Sequence, residues 1–257
     1  MKRIVVKVGS AVLTQDGELA LERMEALVEF LAQLMKNFEV LLVSSGSVGA
    51  GYTKLKLDRN ILENKQALAS IGQPILMNKY AKKFEKYDVL TSQVLVTAVN
   101  LNKPDDIQRI KNTVEKLLEN SVLPIINEND ATATDELVVG DNDQLSAYIA
   151  NHVDADILVI LSDIDAYYDC DPRENETAKV LKEVYSVPKD ELEKNVTPHG
   201  DFATGGIVTK LKAANYLLKN KKSMFLASGF DLNDVKSFLL DSTHKGGTLF
   251  KGNKIWI

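Results

Sequence analysis

The sequence predicts an α/β protein built on a mainly parallel β-sheet with helices on both faces. Three observations carry this reading: short β-branched or Leu-rich runs, amphipathic helical stretches between them, and a length of 257 residues, enough for one large core. The runs that read as buried strands are Ile4–Val8, Val40–Val43, Val89–Val96, Val122–Ile126, Ile157–Leu161 and Met224–Ala227, with a further strand at Lys254–Ile257. The clearest helix places Leu21, Met24, Leu27, Val28, Leu31, Leu34 and Met35 on one face and Glu22, Glu25, Glu29 and Gln33 on the other, as a helix covering a sheet requires. A second begins near Pro104, where the ring and the charges of Asp105 and Asp106 suit a helix N-terminus, and ends around Asn120. Helical spacing resumes at Gln144-Leu145 and over Leu211–Leu218. Lys54–Lys65 reads as a polar loop that can move. No repeat or Pro/Gly/Ser linker interrupts the pattern, so 1–257 reads as one domain.

Composition removes several classes of function. With 36 acidic against 31 basic residues and a formal charge of −5, the chain has no basic footprint for nucleic acid. The one cysteine, Cys170, excludes an internal disulfide and points to a reduced, cytoplasmic setting. The three histidines, His152, His199 and His244, have no metal-ligand spacing, and no metal site is assigned. Lys7 breaks the first apolar run before a signal-peptide core can form, and no stretch has membrane-spanning length. Cys170 lacks a nearby His and reads as an inert thiol. Asp163, Asp165, Asp169 and Asp171 lack the spacing of a calcium loop and read as a solvated turn. His152 reads as a helix C-terminal or surface residue.

Parallel sheets bind ligands at the carboxyl ends of their strands, so the residues after each strand matter most. The first strand ends in Lys7-Val8-Gly9-Ser10 and the second in Ser44-Ser45-Gly46-Ser47-Val48-Gly49-Ala50-Gly51; a later segment reads Ala203-Thr204-Gly205-Gly206-Ile207-Val208-Thr209-Lys210. Glycines let main-chain N–H groups approach an anion. None of the three is a Walker A loop or a dinucleotide fingerprint, and each alone is equally an ordinary tight turn. Together, with a lysine in two of them, they favour phosphate binding. Lys7 sits inside an apolar strand and Lys210 closes a Gly-Gly turn into a helix, which makes them the candidate cations for phosphoryl transfer. A carboxylate acceptor, ionised above a pKa of about 4.3, needs no general base. After Val122–Ile126 comes a stretch crowded with Asn, Asp and Glu.

VKVGSAVLT, LLVSSGSVGAG, PIINENDATATDELVVGDNDQLSA, LSDIDAYYDCDPR and TGGIVTKLKAA, in this order, resemble the amino acid kinase family, and within it the glutamate kinases. The resemblance implies a single three-layer αβα sandwich whose N-terminal part holds the amino acid and whose C-terminal part holds the nucleotide. It implies transfer of the γ-phosphate of ATP to the side chain of L-glutamate, the first step of proline biosynthesis. It places Lys7, Gly9 and Ser10 at the ATP phosphates and Lys210 opposite, with Asp143 orienting the two lysines. Ser45, Asp130 and Asn142 would contact glutamate with support from Asn127. Ser162 and Asp163, with Thr204, Gly205, Gly206, Ile207, Val208, Thr209 and Lys210, would bind ATP. Mg²⁺ would sit on phosphate oxygens and waters. The resemblance further implies inhibition by proline, involving the Lys54–Lys65 loop, and a dimer or tetramer. Longer members append a PUA domain, and this chain resembles the form without it. Its loop reads Ser-Gly-Ser-Val-Gly where Ser-Gly-Ala-Ile-Ala is commoner. Asp135 and Glu136 receive no role. Other acids, such as N-acetylglutamate, aspartate or carbamate, and a silent amino-acid sensor are the alternatives. Asp130 separates the acids, because only a free α-ammonium gains from its carboxylate.

Overall fold

A computed structural model of the chain describes residues 1–132, 142–193 and 206–252. Strand β1 (Lys2–Val8) leads through the short helix α1 (Ser10–Leu13) and a hairpin of β2 (Thr14–Gln15) and β3 (Glu18–Leu19) to α2 (Leu21–Leu34) and β4 (Phe38–Ser44). Helices α3 (Ser47–Tyr52) and α4 (Leu62–Phe84) follow, then β5 (Thr91–Val96), α5 (Ala98–Leu101), α6 (Pro104–Glu119) and β6 (Leu123–Glu128). The rest comprises α7 (Asn142–His152), β7 (Ile157–Ser162), β8 (Glu183–Val184), α8 (Lys189–Glu193), α9 (Ile207–Lys219), β9 (Ser223–Ser228), α10 (Asn233–Leu239) and β10 (Thr248–Phe250).

Among the described residues the main sheet runs β5, β6, β4, β1, β7, β9, β10, β8, and only the β10–β9 pairing is antiparallel. The result is the three-layer αβα sandwich that the sequence pattern and the resemblance imply. Its central strands are buried on both faces, which is why they read as unbroken apolar runs. The two-residue period of β1 sends Ile4, Val6 and Val8 into a core shared with α2, α4 and α10, and Val5 into a second core shared with α7 and α9. Topology places β1 at the centre: the chain extends through β4 and β6 on one side and through β7 and β9 on the other. A crevice at such a reversal, at the carboxyl ends of the strands, is where open α/β sheets bind ligands.

Several sequence expectations are corrected. Leu21, assigned to the buried face of α2, stays 45 % exposed in the first turn, while Phe30, three residues after Leu27, is fully buried. The Lys54–Lys65 segment is not loop throughout, because α4 begins at Leu62. Val89 precedes its strand, which starts at Thr91, and Val122 precedes β6. Two elements absent from the sequence reading have plain causes. Asp16 and Gly17 both take positive φ, the two-residue turn that joins β2 to β3, and Asp-Gly is a strong short hairpin signal that was available in the sequence. The strand β10 is only three residues long, too short for a periodic pattern. The strand expected at Lys254–Ile257 lies outside the described residues.

Helices α3 and α4 are pressed together at a glycine. A Cβ on Gly72 would stand 1.8 Å from the Ser47 carbonyl oxygen, so α4 can lie directly on the first turn of α3 only because that side chain is missing. This contact fixes α4 against the loop that follows β4.

Candidate active site

Lys7 shares its face of β1 with Val5, the face that α7 and α9 cover, and its ammonium is therefore driven into protein instead of water. Asp143, in the first turn of α7, receives it: Lys7 Nζ lies 2.5 Å from Asp143 Oδ1. Lys210 takes a position of the stripe of α9 that continues through Ala213, Ala214 and Leu217, a lysine where the helical period calls for an apolar residue. Its Nζ lies 3.1 Å from Asp143 Oδ2. Thr209 Oγ1 is 2.9 Å from the same oxygen and 2.9 Å from the Gly206 carbonyl, so its one proton serves either acceptor. Asp143 is 0 % exposed, Lys210 2 % and Lys7 3 %. Two ammonium groups and one carboxylate are thus held in the interior with a sum of one positive charge. Buried like charges are costly without a partner, so a carboxylate reaching both lysines is what makes the pair tolerable.

Gly9 continues β1 into α1 as its N-cap, with its N–H donating to Leu161 O at 3.0 Å. A Cβ there would meet only ordinary contacts, 3.6 Å from Leu161 O and 3.8 Å from Lys7 Nζ. The fold itself tolerates a side chain at this position, and the glycine leaves the space beside the ammonium open. Ser10 starts α1 immediately after it.

On the β4 and β6 side, a cluster of amides forms at the strand ends. Asn142, at the head of α7 beside Asp143, donates from Nδ2 to Asn127 Oδ1 at 2.9 Å, to Ser45 Oγ at 2.9 Å and to the Ser44 carbonyl at 3.1 Å, two protons spread over three acceptors. Gly46, at φ 101°, adopts the left-handed conformation that turns the chain from β4 into α3. One residue on, Ser47 donates to Asp130 Oδ2 at 2.7 Å. Burial pushes the Asp130 carboxyl above the usual range for an aspartate, with the Ser47 bond opposing. Ser47 is that carboxylate's hydrogen-bond partner among the described residues, and no cation there is paired with it.

On the β7 and β9 side, Ser162 Oγ donates to Asp163 Oδ1 at 2.8 Å and accepts from the Ile164 N–H at 3.1 Å, while the Ser162 carbonyl takes the Gly229 N–H at 2.7 Å. Gly206 caps α9, and Ile207, Val208 and Thr209 form its first turn. Val208 is buried, so what it can offer a ligand is main-chain N–H at a helix N-terminus, a group suited to phosphate. Thr204 and Gly205, like Asp135 and Glu136, lie outside the described residues.

The structure brings together Ser45, Asn127 and Asn142, with Asp130 three residues beyond Asn127, and the trio Lys7, Asp143 and Lys210, to which Thr209 of α9 is bonded; Ser162 and Asp163 stand at the end of β7, next to β1. Lys7 stands on the central strand β1, between β4 and β7, and Lys210 reaches the same carboxylate from α9. Sequence reasoning missed Ser47, which lies in the Ser-Gly-Ser loop and could have been noticed there, and Gln73, which accepts from Asn127. Cys170 is exposed and its thiol pKa is raised, by desolvation and by the neighbouring Asp169, and His152 ends α7 half-buried, where burial lowers its pKa.

The amino acid kinase family model matches residues 2–228. Glutamate 5-kinase from Wolinella succinogenes is 52 % identical over 97 % of this chain and 98 % of its own length. That from Leishmania donovani is 50 % identical over 97 % and 95 %, respectively. The longer glutamate 5-kinase of Thermoanaerobacter pseudethanolicus is 41 % identical over 99 % of this chain, which covers 71 % of it. Among solved structures, the isopentenyl phosphate kinase of T. acidophilum superimposes with a TM-score of 0.67 at 15 % identity, covering 97 % of this chain and 100 % of its own. The UMP kinase of Ureaplasma parvum gives 0.64 at 18 %, covering 97 % and 98 %. These two bear on the fold alone. With a matching family model over most of its length and relatives near half identity, the chain belongs to the amino acid kinase family.

Proposed function

We infer that the protein transfers the γ-phosphoryl group of ATP to the side-chain carboxylate of L-glutamate, giving L-glutamyl 5-phosphate and ADP, the first step of proline biosynthesis. The observation that carries this reading is the buried Lys7–Asp143–Lys210 trio, set beside the hydrogen-bonded cluster of Ser45, Asn127 and Asn142. A side-chain carboxylate oxygen forms a bond to the γ-phosphorus while the bond from that phosphorus to the β–γ bridging oxygen breaks, and ADP leaves with that oxygen. The nucleophile is already ionised at neutral pH, so no general base is needed, and among the site residues no histidine stands ready as one. Catalysis is left to positioning and to charge, which two preorganised ammonium groups supply without reorganisation. Asp143 holds both ammonium groups in place and does not touch the reacting atoms.

Asp130 and its neighbours would hold the substrate. A half-buried carboxylate whose partner among the described residues is one hydroxyl suits an α-ammonium group, with which it would form a charge-assisted hydrogen bond. Both Asp143 oxygens are engaged by lysines, which fits Mg²⁺ arriving on the phosphate oxygens of ATP with its waters retained. It would supply further neutralisation of phosphate charge. No helix among the described residues is long and apolar enough to cross a membrane. A cytoplasmic location, self-association into a dimer or tetramer, and competition by proline for the glutamate pocket belong to the same proposal; competition kinetics without any effect of proline would remove the last.

The test is γ-glutamyl hydroxamate formation by the purified protein from L-glutamate, ATP, Mg²⁺ and hydroxylamine. Product is expected from L-glutamate and not from N-acetyl-L-glutamate. Turnover confined to N-acetylglutamate or aspartate would reassign the substrate, and no turnover with any acid would favour a sensor.

A further inference from the structure

The amide cluster does not stop at Asn127. Asn127 Nδ2 donates to Gln73 Oε1 at 2.9 Å, and Gln73 Nε2 donates to Gln93 Oε1 at 2.9 Å, so four amides run head to tail from the site through α4 to β5. Asn127 is 1 % exposed and Gln73 8 %. Gln93 is exposed on β5.

The direction of this chain is fixed by two main-chain groups that cannot reverse their roles. The Ser44 carbonyl, 3.1 Å from Asn142 Nδ2, can only accept. The Glu128 N–H, 2.9 Å from Asn127 Oδ1, can only donate. Asn142 must therefore present its NH₂ to β4, and Asn127 must present its oxygen to Glu128 N–H and Asn142. The NH₂ of Asn127 is left facing α4, where it needs an acceptor. Gln73 supplies it. The Gln73 main chain is itself pinned, because the preceding Gly72 lies against the Ser47 carbonyl.

Resting on the reading that this site takes L-glutamate, we propose that Gln73 is a positioning residue for substrate binding: by accepting from Asn127 it satisfies the NH₂ that this orientation leaves buried, and so holds Asn127, and through it Asn142 and Ser45, in place. Without that acceptor, the Asn127 NH₂ is buried with no partner, and the side chain can reach a new one only by leaving the bonds it makes to Asn142 and the Glu128 N–H. Rotation turns the NH₂ toward Asn142 and toward the Glu128 N–H, which sets donor against donor in both places. Among the described residues the Gln73 side chain bonds Asn127 and Gln93 and makes no hydrogen bond to the lysine trio, so the consequence falls on the amino acid.

Replacing Gln73 with methionine keeps length and bulk and removes the acceptor. Gln73→Met is expected to raise KM for L-glutamate about tenfold, the effect of leaving one buried donor unsatisfied, with kcat and KM for ATP within about twofold of wild type. Gln73→Glu keeps an oxygen facing Asn127, and exposed Gln93 can turn its own amide to donate to it. This variant is expected to recover KM to within about threefold of wild type. In an Asn127→Ala background, Gln73→Met should add less than about twofold, because the two act through one link. An unchanged KM in Gln73→Met, an equal loss toward both substrates, or additivity with Asn127→Ala would overturn the relay. Failure of the wild-type protein to turn over L-glutamate would instead overturn the reading on which it rests.

Discussion

Lys210→Ala should lower kcat by roughly two to three orders of magnitude, about 3 to 4 kcal/mol of transition-state stabilisation, as loss of a preorganised charge-stabilising donor does. The structure explains why this loss should fall on kcat. Lys210 Nζ is held 3.1 Å from Asp143 inside the protein, where solvent cannot stand in for it. Asp143 keeps Lys7 and can take the Thr209 proton when Lys210 is gone, so the fold retains a satisfied carboxylate. Among the described residues the glutamate-side amides make no bond to Lys210, and KM for L-glutamate should stay within a few fold of wild type. Steady-state kinetics with a thermal-unfolding control checks this. A near-normal kcat would remove Lys210 from the mechanism.

Asp130→Asn should raise KM for L-glutamate between about 10- and 100-fold, the span of about 1.5–3 kcal/mol expected for a hydrogen bond to a charged group. The side chain keeps its shape and its Ser47 partner and loses only the charge that an α-ammonium needs. The pH dependence sharpens the test. Burial raises the pKa of Asp130 above the ordinary 3.8, so the carboxyl takes up its proton at a higher pH than an exposed aspartate. Protonation removes affinity for ammonium, and wild-type kcat/KM should fall as pH drops through that raised value. The variant should lack this limb and keep the one from the side chain of glutamate, at a pH of about 4.3. The linkage to stability runs the other way. A carboxyl whose pKa is raised by burial costs stability above that pKa, and the cost disappears as pH falls through it. Asp130→Asn should therefore be no less stable than wild type at neutral pH without substrate. A wild-type KM in the variant would separate Asp130 from substrate recognition.

The central strands are legible because they are buried on both faces, which turns them into continuous runs such as Ile157–Leu161. Helix α2 is legible from its period, but its limits are not: position in the stripe says nothing of how far the core extends, so the pattern includes Leu21 and omits Phe30. The long helix α4 is hidden because Pro74 interrupts its pattern and because the polar stretch before it runs on into its first turn. Lys7 is conspicuous as a charge in an apolar strand. Lys210 becomes so only beside a Gly-Gly turn, although its place in the stripe with Ala213, Ala214 and Leu217 carries the same information. Residue roles at the site come from the resemblance, and the structure adds how Lys7, Asp143 and Lys210 meet. Gln73 has no signal in the sequence, since a glutamine on a helix is ordinarily solvated. Only its bond to Asn127 of β6 reveals it.

Isotope transfer in the hydroxamate reaction bears most directly on attack by the glutamate side chain at the lysine trio. L-Glutamate carrying ¹⁸O in both side-chain carboxylate oxygens is incubated with the protein, ATP, Mg²⁺ and hydroxylamine, and the released phosphate is analysed by mass. Hydroxylamine takes the acyl group and leaves the bridging oxygen with phosphorus, so one ¹⁸O in each phosphate is expected, in amounts equal to the hydroxamate. Phosphate released without label would contradict a bond between the glutamate carboxylate and the γ-phosphorus.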